Sequence, residues 1–486
     1  MEKCEKPLSN PGKWRQFLAA IIVNILMIAY GIIIGFQSPF APQLQSSSPP
    51  VGSEPMTDED VSWLSSILCL SGLLMTVLLS IIPDRYSRKR FGYLLALPLF
   101  ISWLIIVFAT EHIHIYISRF LCGICGGGLL FFVPMYVSEI SDDSIRGLLG
   151  SVLVFAINLG ILLAYILGGM LSLRVFAMIN LVNPVLYLIA FTLIPESPVY
   201  LVRQNRIREA ARSLIWLKAG DSLVAERTLS YLQAKINQTD TVTKSKWSDL
   251  FRDRATIKGL IIVCGLFFGQ QLCGIFAMLT YTETIFELSG SSLSPNAASI
   301  IVATMQLLGS FLTSILIERA GRRLLILVSC AGMVLCHSVV GTFCYFQEFG
   351  YDVSVFGWVP LVALSTFMVI YSLGMGGVPI IVTAEIFSRD ITSLATSVGL
   401  YCLWIGAFIM VKVFSNLIVL FGMYGSFYFL AISCALSFLF SFALLPETKG
   451  RLREDVVNEL NGKQCTKSEN NAKHIVDTHS IHAVHV

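Results

Sequence analysis

Charged residues are scarce in this 486-residue chain: Asp, Glu, Lys and Arg make up 13% of it, against about 25% in a typical soluble domain. Hydrophobic residues make up 55%. A large soluble core would explain these values, but apolar runs of near membrane-spanning length recur along almost the whole chain. The net charge of +3 gives no reason to expect a nucleic-acid partner. The sequence therefore predicts a membrane protein whose surroundings are the lipid bilayer.

Motifs for covalent chemistry are also missing from the sequence. The twelve cysteines are scattered, and the one C-x-x-C, Cys122 and Cys125, lies in a Gly-rich apolar run without a second ligand pair. No nucleophile–base arrangement and no phosphate-binding loop is present. We therefore expect no enzyme activity, no catalytic residue, no metal site and no cofactor, and interpret the cysteines as packing residues.

Twelve apolar segments of about 20 residues, the length that crosses a bilayer, organise the chain as six segments, a polar stretch and six more. The segments are Phe17–Pro39, Val61–Ile82, Phe91–Ala109, Ile113–Val137, Gly147–Leu171, Val175–Ile194, Ile257–Leu279, Ala297–Ile317, Leu324–Phe346, Trp358–Ile386, Ser393–Leu420 and Met423–Leu445. The predicted regions are an N-terminus (1–16), a six-helix bundle (17–194), a helical linker (195–256), a second six-helix bundle (257–445) and a C-terminal tail (446–486).

The distribution of Lys and Arg predicts the orientation in the membrane. These residues crowd the connections after spans 2, 4 and 8, the polar linker and both termini, whereas the loop from Gln43 to Asp60 has none. We therefore expect a multi-pass protein of the cell membrane with both termini and the linker in the cytosol. Apolar residues at helical spacing from Ile207 to Leu217 predict short amphipathic helices in the linker.

Three short motifs occur once in each half of the chain and in the same order, which indicates an internal duplication. Asp84–Lys89 is repeated as Glu318–Arg323, Ser138–Ile140 as Ala384–Ile386, and Pro195–Pro198 as Pro446–Lys449. Two related halves about an axis normal to the membrane are the arrangement of parallel-repeat transporters, whose substrate lies between the halves.

These motifs resemble those of the sugar porter family of the major facilitator superfamily. The resemblance covers roughly Phe17 to Arg453 and rests on the two charged loops above together with Pro134–Glu139, Arg146–Gly147, Pro195–Pro198, Gln270–Ile275 and Pro446–Gly450. Gln306, Trp404 and Lys412 resemble the insect facilitated trehalose transporter-like subgroup. The resemblance implies an all-α major facilitator fold of twelve transmembrane helices in two six-helix halves with cytosolic helices between them. It also implies a sugar as substrate, either a hexose or a disaccharide such as trehalose.

Charges at the cytosolic helix ends form the predicted gating network. Carboxylates recur at the same helix ends in both halves, which positive-inside charge alone, the alternative explanation, does not account for. The network comprises Asp84, Arg85, Arg88, Glu139, Arg146, Glu318, Arg319, Arg322 and Glu385. We expect Glu139 to pair with Arg319 or Arg322, and Glu385 with Arg85 or Arg88, so that ion pairs between the halves exist in only one conformation.

Amides and aromatic rings inside the spans are the predicted binding set, because amides match sugar hydroxyls and a ring covers the apolar face of a pyranose. The set is Gln270, Gln271, Gln306, Gly376, Trp404 and Phe276. Interhelical hydrogen bonding is the alternative for the glutamines, and core packing for Trp404. The glycines around Gly376, with a following proline, predict a broken helix that lines a cavity. The family's usual polar or aromatic residues are replaced at Val154, Phe276, Ile380 and Thr392.

No charged side chain lies between Arg15 and Glu54, so span 1 lacks the acid that proton-coupled relatives carry. We therefore expect a uniporter that works by facilitated diffusion. Lys412 is expected to reach outward to the membrane boundary, or otherwise to line the pathway. A sugar receptor or sensor that does not transport, and a transporter of a less polar solute, remain the alternatives. The sequence leaves the oligomeric state and the identity of the solute open.

Overall fold

The fold is described from a computed structural model of the chain. The described residues are 12–81, 87–142, 144–240, 247–288, 293–451 and 453–462. The helices, in chain order, are α1 (Lys13–Gly35), α2 (Gln37–Leu44), α3 (Asp58–Ile81), α4 (Arg88–Val107), α5 (His112–Ile140), α6 (Arg146–Met170), α7 (Leu173–Thr192), α8 (Pro198–Arg203), α9 (Ile207–Leu217), α10 (Ser222–Asp240), α11 (Arg254–Leu272), α12 (Ile275–Leu288), α13 (Pro295–Ala320), α14 (Arg322–Glu348), α15 (Val359–Leu373), α16 (Val378–Ile386), α17 (Arg389–Leu444) and α18 (Arg453–Leu460).

Across the described ranges, eleven helical segments are long and apolar enough to cross a membrane. The last of them, Ile391–Leu444, has 54 residues, which at 1.5 Å per residue is about 80 Å and far exceeds a hydrocarbon core of about 30 Å. Gly422 interrupts it with a φ of 68°, a conformation that glycine adopts without strain. The two parts on either side of Gly422 correspond to the predicted spans 11 and 12, and the predicted all-α membrane fold is confirmed.

Three spans are broken, and the sequence predicted only one of the breaks. The break in span 10 lies between Leu373 and Val378, as the glycines indicated. Span 1 breaks at Phe36, where Pro39 has no N–H to donate to the carbonyl four residues before it. Span 7 breaks at Gly274, whose φ of 85° lies in the left-handed region. Each break leaves backbone groups that other residues must satisfy.

The two halves repeat one packing scheme. In the first half α4 packs on α5 and α7, and in the second half α14 packs on α15 and α17. The halves meet mainly along two seams, α3 with α17 and α6 with α13, and α2 also packs on α12. We call the side that carries α8–α10, α18 and the start of α1 the terminal side, and the opposite side, with residues 45–57 and 349–358, the distal side.

The linker forms the amphipathic helices that its sequence predicted. In α9 the residues at helical spacing, Ala210, Ser213, Leu214 and Leu217, are buried. Lys218, directly after α9, forms an ion pair of 2.5 Å with Asp142 at the end of α5, and Asp142 also accepts a hydrogen bond of 2.9 Å from Gln16. The ion pair between Lys218 and Asp142 therefore attaches the linker to the first half on the terminal side.

Candidate substrate pathway between the halves

Three buried glutamines lie near the helix breaks of the second half. Gln270 and Gln271 end α11 just before its break, Gln306 is in the middle of α13, and none of the three is more than 5% exposed. The Gln270 amide donates to the carbonyls of Met375 at 2.6 Å and Gly376 at 3.1 Å, in the break between α15 and α16. The structure therefore brings the predicted residues Gln270 and Gly376 together, and the amide satisfies backbone groups that the break leaves free.

The side-chain oxygens of these three glutamines are unpaired acceptors in the part of the chain that the structure describes. The Oε1 atoms of Gln270, Gln271 and Gln306 are buried and have no hydrogen-bond partner among the described residues. An unpaired buried acceptor costs about 1–3 kcal/mol, so such groups ordinarily have a partner. Three of them in the second half form a set of acceptors that hydroxyl donors would satisfy. Interhelical bonding thus explains the donor of Gln270 but none of the three acceptors.

Trp404 lies at the seam between the halves. Its indole Nε1 donates to Thr76 Oγ1 at 3.0 Å, and the residue is 1% exposed. A Cβ atom at Gly72 would lie 2.7 Å from the indole, so glycine permits this close approach of α3 and α17. The contact across the seam was not predicted from the sequence. Phe276, at the start of α12, is half-buried. The binding roles of both residues stay predictions.

Sequence reasoning did not single out several buried polar residues of the first half, among them Asn158 and Arg119. Asn158 is buried in α6, one turn beyond Val154 and therefore on the same face of the helix. Arg119 is 1% exposed in α5; its Nη1 donates to the Ile33 carbonyl at 3.0 Å and its guanidinium lies 4.0 Å from the Phe36 ring. Arg119 thereby stabilises the break in span 1. The available signal was an amide or a cation inside an apolar span.

The described ion pairs of the terminal side join helices of the same half. Arg88 binds Glu139 at 3.1 Å, and Arg322 binds Glu385 at 2.9 Å. Each pair therefore lies within one half. Among the described residues, the expected pairs of Glu139 with Arg319 or Arg322 and of Glu385 with Arg88 are not formed in this conformation, and Arg85 lies outside the described residues. Since the pairs between the halves were expected in only one conformation, they stay a prediction. The pairs within a half follow from local packing: the arginine begins a helix that packs beside the helix ending in its glutamate.

A second carboxylate in each half completes these networks and was not in the predicted set. Glu196 accepts a hydrogen bond of 3.1 Å from the backbone N–H of Lys89. Glu447 accepts from the N–H groups of Arg322 at 3.0 Å and Arg323 at 3.2 Å. A carboxylate at a helix N-terminus is stabilised by the unpaired N–H groups and by the helix dipole. The repeated Pro-Glu motifs thus cap α4 and α14.

The remaining predicted charges take no part in a described ion pair between the halves. Arg146 donates to the Ser141 carbonyl at 3.1 Å, and Arg319 is exposed. Asp84 and Arg85 lie outside the described residues, as does the side chain of Glu318.

The distal side is crossed by hydrogen bonds between the halves. Tyr165 in α6 donates to the Leu279 carbonyl at 2.7 Å, and the Glu283 N–H donates to Ser38 Oγ at 3.2 Å. Asn296 donates to the Tyr165 carbonyl at 3.1 Å and to Glu283 Oε1 at 2.8 Å. We call Ser38, Tyr165, Glu283 and Asn296 the distal latch. It joins α2 and α6 to α12 and α13.

Lys412 adds a further contact across the distal part of the α3–α17 seam. Its Nζ lies 3.9 Å from the centre of the Trp63 ring, within the range of a cation–π interaction. The sequence analysis expected Lys412 to reach the membrane boundary or to line the pathway. The contact with Trp63, which lies five residues after the distal start of α3, connects the two halves, and the expected position of Lys412 at the membrane boundary stays a prediction.

Comparison with known proteins finds a family model and relatives that match most of the chain. The family model "Sugar (and other) transporter" matches residues 18–459. The facilitated trehalose transporter Tret1 of Anopheles gambiae is 32% identical over 94% of this chain and 58% of its own length, and that of Polypedilum vanderplanki is 30% identical over 94% of this chain and 90% of its own length. The chain thus spans little more than half the length of the Anopheles relative.

Two solved structures share the fold. The proton:xylose symporter XylE bound to 6-bromo-6-deoxy-D-glucose has a TM-score of 0.73 at 20% identity, covering 92% of this chain and 99% of that one. The inward open conformation of the xylose transporter XylE from E. coli has a TM-score of 0.73 at 19% identity, with the same coverage. Together with the family match over almost the whole chain, this shared helical architecture identifies the chain as a member of the sugar (and other) transporter family.

Proposed function

We propose that the chain is a facilitative sugar transporter, a uniporter that moves a hexose or a disaccharide such as trehalose by alternating access. The observation that carries the proposal is the set of three buried glutamine acceptors without a described partner, close to the helix breaks of the second half. Sugar hydroxyls are donors that such acceptors bind. Membership of a transporter family and the names of the Tret1 relatives support the same conclusion, and they place the chain among transporters and not among enzymes.

The polar contacts at the two ends support alternating access as the mechanism. The distal latch joins the halves, whereas the described ion pairs of the terminal side stay within single halves. Among the described residues, none of the ion pairs of the terminal side joins the two halves, whereas the distal side opens only when the latch breaks. The charges at the helix ends of both halves are the proposed gating network, because bonds present in one conformation bias a two-state equilibrium.

The proposed orientation and organisation follow the distribution of charge and the order of helices. The protein lies in the cell membrane, with both termini and the linker helices in the cytosol. The terminal side is then the cytosolic side, so this conformation faces inward. The bundles are residues 17–194 and 257–445, with a linker at 195–256, an N-terminus at 1–16 and a tail at 446–486. The described helices α8–α10, between the two bundles, support this division.

A less polar solute is the second candidate, because Val154 and Phe276 stand where related transporters carry amides. Asn158 argues against it, since this buried amide lies one turn from Val154 and retains polar character on α6. A panel of labelled solutes in liposomes distinguishes the two. We expect saturable uptake of glucose or trehalose; binding without uptake, or uptake of an apolar solute alone, would contradict the proposal.

The Gln271→Ala variant tests the binding set directly. Because it removes a buried amide that we propose accepts a sugar hydroxyl, we expect transport efficiency to fall at least tenfold, equivalent to about 1.4 kcal/mol. Initial uptake rates over a range of sugar concentrations measure the effect. The matched control is Gln204→Ala, an exposed amide in the linker. Unchanged kinetics in folded Gln271→Ala protein would assign Gln271 to interhelical packing.

A further inference from the structure

An apolar groove lies on the outer surface of the first half, between α4 and α7. Its volume is about 570 Å³. Its walls are Tyr93, Leu94, Ala96, Leu97, Phe100, Val185 and Leu188, and Arg90 stands at its edge. Leu94 is 60% exposed, and Leu97 and Val185 are also exposed. Since α4 and α7 are membrane-spanning helices, exposure at these positions means contact with lipid.

Along the helix axis, the groove extends over about the thickness of one bilayer leaflet. Tyr93, Leu97 and Phe100 follow one another at spacings of four and three residues and therefore lie on one face of α4. From Arg90 to Phe100 the helix rises about 15 Å, at 1.5 Å per residue, which is half of a hydrocarbon core of about 30 Å. The groove thus runs from the terminal boundary of the membrane, where phosphate groups lie, to its middle, where acyl chains end.

Arg90 is the cation of its motif that remains available to a ligand. Its neighbours are engaged: Arg88 binds Glu139, and Lys89 Nζ donates to the carbonyls of Thr192 at 3.1 Å and Ile194 at 2.8 Å. The Arg90 side chain is exposed and has no partner within the part of the chain that the structure describes. A guanidinium at the boundary of the membrane matches a phosphate group, which it can bind through two parallel hydrogen bonds.

The second half provides an internal comparison. Arg88, Lys89 and Arg90 correspond to Arg322, Arg323 and Leu324, because Arg323 Nη2 donates to the Phe442 carbonyl at 2.7 Å much as Lys89 donates to the end of α7. The residue at the position of Arg90 is therefore Leu324, which is exposed and apolar. The repeated motif does not need a cation at this position, so Arg90 is a feature of the first half alone.

We propose that the α4–α7 groove binds one phospholipid with an anionic headgroup. An acyl chain lies along the apolar walls, and the headgroup phosphate lies on Arg90. A free phosphate ion does not account for the groove, because all of its walls except the Tyr93 hydroxyl are apolar. The expected preference for an anionic over a zwitterionic headgroup is about fivefold, the contribution of one arginine near a membrane surface.

Native mass spectrometry of the delipidated full chain tests the proposal, with phosphatidylglycerol and phosphatidylcholine of identical acyl chains as probes. We expect one phosphatidylglycerol to be retained about fivefold more strongly than phosphatidylcholine. Arg90→Leu and Arg90→Gln should both abolish the preference, and Leu97→Trp, which fills the groove, should weaken binding of both lipids. The control Arg227→Leu removes another exposed cation, in the linker helix α10, and should change nothing.

Several results would contradict the proposed phospholipid site. These are equal binding of the two lipids by the wild-type chain, a preference that persists in both Arg90 variants, or binding that survives Leu97→Trp. Inorganic phosphate should fail to displace the lipid, and displacement by millimolar phosphate would show that the groove contributes nothing. The unfolding temperature of each variant in detergent identifies misfolded protein, and the two Arg90 variants give independent measurements.

Discussion

The distal and terminal sides of the bundle are held together in different ways. On the distal side Tyr165 and Glu283 bond to residues of the opposite half, whereas on the terminal side Arg88 and Arg322 bond to carboxylates of their own half. The α3–α17 seam is bridged by Thr76 with Trp404 and, one residue before the terminal end of α3, by Ser80 with Tyr401. The contrast supports the proposed alternating access, because the distal latch joins the halves and the described ion pairs of the terminal side do not.

The first way to test the comparison is to establish which side faces the cytosol. Epitope tags inserted in the loop from Gln43 to Asp60 should be labelled in intact cells, and tags in 195–254 should be labelled only after permeabilisation. The expected difference is all or none, because the distribution of Lys and Arg sets the orientation. The opposite pattern of labelling would reverse the assignment of the two sides.

Joining the halves at the distal latch should nearly abolish transport. In a Ser38→Cys, Glu283→Cys double variant, a short bifunctional thiol reagent would link two residues that contact each other across the halves. Since the distal side must open in each cycle, uptake should fall more than tenfold and recover when the link is cleaved by a reductant. The single-cysteine variants, treated identically, are the controls. Full transport by the linked protein would show that the latch need not open.

Weakening the terminal ion pairs should have a smaller effect. Glu139→Gln and Glu385→Gln each leave a poorly exposed arginine without its carboxylate, and we expect transport rates to fall about three- to tenfold. The control is Glu209→Gln, whose partner is Arg206 in a pair with both side chains about half exposed. Such exposed pairs contribute about 0–1 kcal/mol, so this variant should stay within about twofold of wild type. If all three variants transport at the same rate, the terminal charges take no part in gating.

The large features of the fold could be predicted from the sequence because each has a local signal. Span length and the break near Gly376 follow from apolar runs, glycines and a proline. The breaks at Phe36 and Gly274 were missed, because a single proline or glycine inside an apolar run is compatible with a continuous helix. What stabilises them comes from elsewhere: Arg119, for example, reaches the Ile33 carbonyl from α5.

The candidate site was predicted less completely, for a physical reason. Amides inside apolar spans identified Gln270, Gln271 and Gln306, and the same rule would have identified Asn158. The pairs of Arg88 and Arg322 with carboxylates of their own half were not predicted, because the order of the motifs is compatible both with pairs within a half and with pairs between the halves. The contact of Trp404 with Thr76 depends on how two distant helices pack, which no local pattern contains.

Steady-state uptake of sugar into liposomes, with and without an imposed pH difference, tests the proposed passive uniporter most directly. Span 1 carries no charged side chain between Arg15 and Glu54, so the acid of proton-coupled transporters is missing there. A coupled charge would gain about 2.3 kcal/mol per 100 mV and could concentrate the sugar; a uniporter cannot use this energy. We predict equal sugar concentrations inside and outside under both conditions. Accumulation above the external concentration that collapses with a protonophore would contradict the account. The first residues to mutate would then be two buried ionisable residues of the second half, Glu283 in α12 and His337 in α14.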